Sequence, residues 1–233
     1  MRKILNKQIT FIGILLFACS SENKTNGFEI SKVMNFNDLN DWEDASLSTN
    51  GNINYIVENG SLKIFSNANT WERPKVKTIS KFTVGTYNWR VFIPEMGIGD
   101  MASISAFLYQ DDLHELDFEV GYGTQIVRNK LAAQNDDLIV YMTSQGNPFQ
   151  SVTKKIKRGQ WYNLSIETKI NTNGHYQATW KINDILMQSL QLSYGVETRF
   201  NIYCSVENLQ FIGDHIPQAQ NYALFDFVEF KGN

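Results

Sequence analysis

Cysteine and histidine are scarce in this chain, and their scarcity excludes several kinds of site. The sequence contains only two cysteines, Cys19 and Cys204, and three histidines, at positions 114, 175 and 215. The histidines lack the spacing of zinc ligands, and no local pattern supplies Cys204 with the partners of a nucleophilic thiol. Cys204 lies in an apolar run, so we predict a buried thiol that packs as a small hydrophobe.

An excess of charge of one sign is also absent. The 21 basic and 24 acidic residues give a net charge of −3, and the two signs are interspersed along the chain. Binding to nucleic acid therefore has no electrostatic support, and we predict no nucleic-acid partner. The densest basic stretch, residues 154–158, precedes a glycine and is predicted to be a solvated turn.

Long apolar runs are missing except for a short one near the beginning of the sequence. Residues 9–17 are apolar, follow three basic residues and precede the small residue Ala18. This arrangement is typical of a secretory signal, and the run is too short to span a membrane permanently. We predict a signal peptide over residues 1–18 and no transmembrane helix after it.

Cys19 comes directly after the predicted cleavage site. The segment Leu16-Phe17-Ala18-Cys19 is similar to the bacterial lipobox, in which the cysteine carries lipid and becomes the new N-terminus. An ordinary signal peptide followed by a chance cysteine is the alternative. We expect a lipidated Cys19 and a polar tether over residues 19–27. The protein would then be a bacterial membrane lipoprotein, in the outer membrane or at the periplasmic or cell surface, held to the membrane by its lipid anchor only.

Helical periodicity is nearly absent from the remaining residues, 28–233. Short alternating runs recur instead between turn signals, and hairpins are predicted at 55–65, around Asn59-Gly60, and at 161–182. Further strands are predicted at 76–82, 86–93, 102–109, 115–122, 138–143, 199–206 and 223–230. With no repeat and no interior linker, this pattern predicts a single all-β domain, either a sandwich or a barrel.

One predicted strand carries an acidic side chain at every second position. Alternation along residues 114–120 places Glu115, Asp117 and Glu119 on one face and apolar side chains on the other. Acidic residues are poor strand formers and repel one another, so something should compensate for this cost. A row of catalytic carboxylates is one explanation, and an exposed strand face that happens to be acidic is the other. The same parity turns His114 to the core side, where we predict a satisfied, partly buried histidine.

The run Glu115-Leu116-Asp117-Phe118-Glu119 resembles the Glu-x-Asp-x-Glu signature of family 16 glycoside hydrolases. Neighbouring segments follow the order of that family, with a strand pair at 80–94, a hairpin at 161–184 and a closing strand at 225–230. The resemblance covers nearly all of residues 28–231. It implies an all-β jelly-roll sandwich of two antiparallel sheets, of the concanavalin A-like lectin and glucanase type. The chain departs from the family in lacking tryptophans that are frequent before the signature and in the strand at 103–109.

The resemblance implies a monomeric, endo-acting, retaining glycoside hydrolase that needs no cofactor for catalysis. Its substrate would be a β-linked polysaccharide, either a β-1,3/1,4-glucan or a β-galactan. Glu115 would be the nucleophile and Glu119 the general acid/base, while Asp117 would bias which neighbour holds the proton. A sulfated galactan would require bases such as Arg73, Arg90 or Arg199 to face the cleft.

Sugar clefts use aromatic side chains as platforms for pyranose rings. The substrate-binding candidates are Trp71, Tyr109, Tyr122 and Phe149. Trp89 lies in the middle of an alternating strand, so we assign it to the core instead.

The family resemblance also implies a structural calcium ion. The ligands would be Asp226 in the closing strand and the carbonyl oxygen of Gly60 in the first hairpin. An ordinary surface acid is the alternative for Asp226.

Two other functions stay open on the same fold, because a fold does not determine a function. A non-catalytic, glycan-binding surface lipoprotein is the first, and the intact acidic row argues against it. A polysaccharide lyase is the second. It would need a tyrosine or histidine base and a cationic partner for a uronate, and the sequence offers no convincing arginine-rich strand.

Overall fold

The computed structural model describes residues 31–232, which form two packed antiparallel sheets. The predicted signal peptide, Cys19 and the tether lie outside the described residues. No helix within residues 31–232 combines the length and the apolar character needed to cross a membrane.

Strands make up most of the described residues. In chain order they are β1 (Ser31–Asn35), β2 (Trp42–Asp44), β3 (Tyr55–Glu58), β4 (Ser61–Ser66), β5 (Lys75–Thr78), β6 (Gly85–Ile93), β7 (Ala102–Asp111), β8 (His114–Gly121), β9 (Asp137–Ser144), β10 (Gln150–Lys157), β11 (Gln160–Ile170), β12 (His175–Ile182), β13 (Ile185–Gly195), β14 (Asn201–Asn208) and β15 (Asn221–Gly232). Sheet A has the order β13-β12-β11-β6-β15-β4-β3, with β1 also paired to β15. Sheet B has the order β10-β9-β8-β7-β14-β5-β2.

The core lies between the two sheets and follows the alternation of the sequence. In β8, Leu116 and Phe118 are fully buried between the sheets, so the intervening acidic residues face away from the core. Two fully buried tryptophans of sheet A cross the core to the backbone of sheet B. Trp89 Nε1 donates to the carbonyl oxygen of Tyr203 at 3.1 Å, and Trp180 Nε1 donates to that of Asp117 at 3.0 Å. The assignment of Trp89 to the core is confirmed.

One short α-helix, α1 (Gln125–Lys130), joins β8 to β9. The Thr124 side chain caps it by accepting from the backbone N–H of Val127. Val127 and the 3₁₀ turn at Gln210–Ile212 pack against Ile139 and Tyr141 of β9. The helix therefore covers one end of the outer face of sheet B.

Most predicted strands and both predicted hairpins are confirmed, with ends that differ by a few residues. The strand predicted at 76–82 ends at Thr78, and Phe82 forms only an isolated bridge with Phe200. The turn predicted at 154–158 is wrong, because residues 154–157 belong to β10, which pairs with β9 at the edge of sheet B. Its lysines suit that place, since charged side chains protect a sheet edge from further pairing. Strands β1, β2, β10 and β13 were not predicted.

Cys204 is fully buried in β14, as predicted for a thiol that packs as a small hydrophobe. Burial raises the pKa of its thiol well above the usual range, so the thiolate form is suppressed.

Candidate active site

The acidic row of β8 lines a cleft on the outer face of sheet B. Glu115, Asp117 and Glu119 all contribute to this cleft, which has a volume of about 350 Å³. The cleft extends over β7, β14 and β5, and the loop after β2 contributes Ala45 and Leu47 to its lining. The structure therefore brings the three predicted catalytic carboxyl groups together in one concave site.

Strand register decides which side chains meet on the floor of this cleft. Asp117 of β8 is opposite Phe107 of β7, and Phe107 is opposite Tyr203 of β14. The Phe107 and Tyr203 rings stack with centroids 4.5 Å apart and planes 17° apart. Tyr109 packs edge-on against Tyr203 at 5.8 Å, so three aromatic residues lie beside the acidic row.

Asp117 is the most enclosed of the three acids, with 2% of its surface exposed. Gln145 Nε2 donates to its Oδ2 atom at 2.7 Å. Burial, together with the charges of Glu115 and Glu119, raises the pKa of Asp117 well above its usual range. The Oδ1 atom of Asp117 is buried and has no hydrogen-bond partner among residues 31–232.

The pKa values of the two glutamates are both raised. Burial raises the pKa of Glu115 to about 7, and the neighbouring Asp117 side chain works in the opposite direction. Burial and the charges of Glu207 and Glu115 raise the pKa of Glu119 to about 8. With pKa values this close to neutral, the pair can hold one proton and one negative charge near pH 7.

A cluster that sequence reasoning missed lies beside this row, and we call Arg73, Lys75 and Glu207 the charged cluster. Lys75 Nζ and Arg73 Nε each donate to Glu207 Oε2 at 2.6 Å. All three side chains line the cleft. The two-residue spacing of Arg73 and Lys75 places them on one side of an extended segment, but nothing local in the sequence brings Glu207 to them.

Of the four predicted substrate-binding aromatics, only Tyr109 belongs to the cleft lining. Tyr109 lines the cleft, and its hydroxyl donates to Asp112 Oδ1 at 2.9 Å. Trp71 is half-exposed in the loop that precedes β5, two residues before Arg73 of the cleft lining. Phe149 is exposed in the loop between β9 and β10 and does not line the cleft.

The prediction for Tyr122 is wrong. Its side chain is only 5% exposed and belongs to the core, and the guanidinium of Arg128 lies 3.7 Å from its ring centroid. The reason is parity, because Tyr122 is two residues after Val120 and continues the inward-facing positions of β8.

His114 is partly buried and satisfied, as predicted. Its Nδ1 atom lies 2.7 Å from Asp111 Oδ1, and its ring packs edge-on against Tyr194 with centroids 4.6 Å apart. It does not line the cleft.

Of the three bases that a sulfated substrate would require, Arg73 alone belongs to the cleft lining. Arg90 lies in β6 of sheet A, with its guanidinium 5.4 Å from the Trp161 ring. Arg199 precedes β14 and does not line the cleft.

The two expected calcium ligands lie at the same end of sheet A. The pairing of β15 with β4 ends at Phe225 and Leu62, next to Asp226 and close to Gly60 in the β3–β4 turn. Asp226 is exposed in an irregularity of β15. Residues 31–232 contain no group of three or more metal-binding side chains, so calcium here would take most of its oxygen ligands from backbone and water.

No protein-family model and no curated protein sequence matches this chain. Solved structures do match. The catalytic domain of an endo-1,3-β-glucanase (laminarinase) from Thermotoga petrophila has a TM-score of 0.64 and 16% identity, over 88% of this chain and 99% of that one.

Two further glucanases are similar. A β-1,3-1,4-glucanase (lichenase) from a mouse hindgut metagenome has a TM-score of 0.64 and 15% identity, over 87% of this chain and 99% of that one. A β-glucanase from Bacillus licheniformis has a TM-score of 0.61 and 15% identity, over 87% and 98%. The predicted fold is thereby confirmed: this chain is a concanavalin-like jelly-roll sandwich with the architecture of these glucanases.

Proposed function

We propose that this protein is an endo-acting, retaining glycoside hydrolase that cleaves a β-linked polysaccharide. One observation carries the proposal: Glu115 and Glu119 line the same cleft on either side of the buried Asp117, and burial raises the pKa values of both glutamates toward neutral pH or above. A retaining enzyme needs one ionised and one protonated carboxyl group at a single glycosidic bond.

The residues supply both steps of such a reaction. Glu115 attacks the anomeric carbon as the nucleophile, and Glu119 protonates the departing glycosidic oxygen. A covalent glycosyl-enzyme forms, and Glu119, now ionised, removes a proton from the water that releases it. Asp117 lies between the two glutamates on the same strand face, and their charges raise its pKa, so it couples the protonation of the three groups.

The substrate is proposed from the cleft and from the structural neighbours. Phe107, Tyr109 and Tyr203 provide an aromatic surface beside the acidic row, which suits the apolar faces of pyranose rings. The neighbours act on β-1,3-glucan or on β-1,3-1,4-glucan, as their names state. Laminarin and lichenan are therefore the first substrates to try, followed by β-galactans.

The decisive experiment follows the anomer that is released first. Proton NMR during cleavage should show the β-anomer before mutarotation, and Glu115→Gln should abolish cleavage while leaving the fold intact. Release of the α-anomer, or full activity in Glu115→Gln, would refute the proposal. Binding of a glycan that is never cleaved would favour the glycan-binding lipoprotein.

We also propose that Cys19 is lipidated and anchors the protein to a bacterial membrane. Intact-mass analysis of protein extracted from membranes should show an acylated N-terminal cysteine. Cys19→Ala should release the protein from the membrane fraction. Unmodified wild-type protein in the soluble fraction would contradict the anchor.

A further inference from the structure

The charged cluster is unusual because it is both buried and part of the cleft. The side chains of Glu207 and Lys75 are 4% and 8% exposed, whereas that of Arg73 is 40% exposed. Burying ionised groups is costly even when they are paired, and apolar replacements are often no less stable. A cluster of this kind at the wall of a cleft therefore indicates a role beyond stability.

Strand register places the cluster opposite the proposed acid. Glu119, Ser105, Ser205 and Lys75 form one cross-strand row over β8, β7, β14 and β5. Three strand spacings separate the backbones of Glu119 and Lys75, which is about 14 Å. The two residues between them are serines, so two long polar side chains face each other across a floor of small ones.

The serine floor is itself polar. Ser105 lines the cleft, and its hydroxyl lies 3.0 Å from that of Ser103. The buried Ser205 hydroxyl has no hydrogen-bond partner among residues 31–232. Ser205 is not part of the cleft lining, so Ser105 supplies the polar surface of this floor.

The charges of the cleft disfavour an anionic ligand. Five carboxyl groups line it, from Asp112, Glu115, Asp117, Glu119 and Glu207, against only two cations, so the cleft carries no excess of positive charge even where some carboxyl groups are protonated. Both cations already donate to Glu207. A sulfate or uronate group would have to compete with Glu207 for them while it approaches the acidic row.

We propose that Arg73, Lys75 and Glu207 are specificity-determining residues that hold neighbouring hydroxyl groups of an uncharged sugar unit next to Glu119. This inference rests on the proposed function and narrows its substrate to neutral β-glycans. The Glu207 carboxylate accepts from one hydroxyl, while Lys75 and Arg73 donate their remaining N–H groups to the next. The cluster thus recognises a sugar by charge-assisted hydrogen bonds, beside the aromatic residues of the floor.

The test compares neutral and anionic forms of the same glycan. The parent protein is the full chain carrying Glu115→Gln, which prevents cleavage. Its binding is measured by affinity electrophoresis in laminarin, in lichenan, in a neutral β-galactan and in the chemically sulfated form of each. The parent should bind at least one neutral polymer at least tenfold more tightly than its sulfated form. Adding Glu207→Gln should weaken neutral binding about tenfold or more and move the preference toward the sulfated form, because two cations lose their carboxylate.

Two controls separate recognition from folding. Lys75→Gln with Glu207→Gln removes the buried charge imbalance, and it should lose neutral binding without gaining sulfated binding. Glu167→Gln breaks a similar arrangement on sheet A, where Lys169 and Lys181 pair with one glutamate, and it should change neither affinity. Thermal melting identifies any variant that fails to fold. If Glu207→Gln alone does not fold, the double variant tests the inference in its place.

The outcomes distinguish this inference from the proposed function. Neutral binding that is unchanged in both cluster variants, or a parent that prefers the sulfated polymers, overturns the inference. If wild type still cleaves a polymer in a Glu115-dependent way, the proposed function survives that result. Absence of both binding and cleavage across the panel overturns both.

Discussion

Two glutamates in this sandwich each pair with two cations, on opposite faces of the molecule. Glu207 pairs with Lys75 and Arg73 in the cleft of sheet B, and every contact is 2.6 Å. Glu167 of sheet A pairs with Lys169 at 2.7 Å and Lys181 at 3.1 Å, and Lys169 is largely exposed. The number of partners is the same, and the surroundings differ.

The comparison shows that burial, rather than pairing, decides whether such a cluster changes the pKa of neighbouring groups. On sheet A the lysines lower the pKa of Glu167, chiefly through the hydrogen bond from Lys169, and water screens the group from distant neighbours. In the cleft, the charge of Glu207 contributes to raising the pKa of Glu119, while Arg73 and Lys75 oppose it. A buried cluster therefore acts on the catalytic row as well as on itself.

The largest expected effect comes from the proposed acid. Glu119→Gln should lower the rate on a polysaccharide by about 10²- to 10⁴-fold, because the leaving oxygen loses its proton donor. A substrate with an activated leaving group should recover most of that rate, since it needs no proton. Steady-state assays on both substrates measure the effect, with Glu167→Gln as an unaffected control. Equal losses on both substrates would contradict the acid role.

The second effect compares the clusters by stability. Lys75→Met should destabilise the fold by about 2–4 kcal/mol, because it leaves Glu207 buried with a single partner. Lys181→Met should cost less than about 1 kcal/mol, because its partner is near the surface and retains Lys169. Urea denaturation of both variants measures the difference. Similar costs would show that burial does not distinguish the two clusters.

The third effect depends on pH. The pKa of Glu119 is raised from 4.5 in the unfolded chain to about 8 in the folded protein. The fold therefore loses stability as pH rises from about 4.5 through about 8, because ionised Glu119 is less stable in the folded state. Glu119→Gln removes that cost and should stabilise the fold by about 1–3 kcal/mol at pH 8.5, with little effect at pH 4.

Glu167→Gln should show the opposite sign in the same experiment. The pKa of Glu167 is lowered, so its charge contributes stability above its unfolded value, and that contribution is lost as pH falls. Thermal melting at pH 4 and pH 8.5 measures both variants. Destabilisation by Glu119→Gln at the higher pH would contradict the raised pKa.

The smallest expected effect concerns calcium on sheet A. Millimolar calcium should raise the melting temperature by about 2–4 °C, which corresponds to about 1 kcal/mol for a domain of this size. A chelator should reverse the change, and Asp226→Asn should be insensitive to both. Equal responses of wild type and Asp226→Asn would exclude Asp226 as a ligand.

Patterns within one strand could be interpreted from the sequence alone. The acidic row and its buried neighbours follow from a repeat of two residues, because successive side chains of a strand face opposite sides. The same rule, applied to Tyr122, indicates the core and corrects its assignment to the cleft. Strand β13 could not be predicted in this way. Its first residues, Ile185 and Leu186, are apolar but exposed, so they interrupt the alternation of apolar and polar side chains.

The charged cluster depends on contacts between distant parts of the chain. Glu207 is 134 residues from Arg73 and 132 from Lys75, and β14 pairs with β5 and β7 rather than with its neighbours in sequence. No local pattern specifies that pairing, because register between distant strands depends on how the whole sandwich packs. The pKa values of the acidic row depend on the same packing, which removes water from the three carboxyl groups.

The sequence by itself determined the all-β class, the strand that carries Glu115, Asp117 and Glu119, and the face of that strand on which they lie. These properties follow from side-chain alternation, which is local. The tertiary structure alone decided that Lys75 and Glu207 meet beside Glu119, and that burial raises the pKa of Asp117 well above its usual range. Both depend on strand order and on exclusion of water, which arise only when residues far apart in the chain pack together.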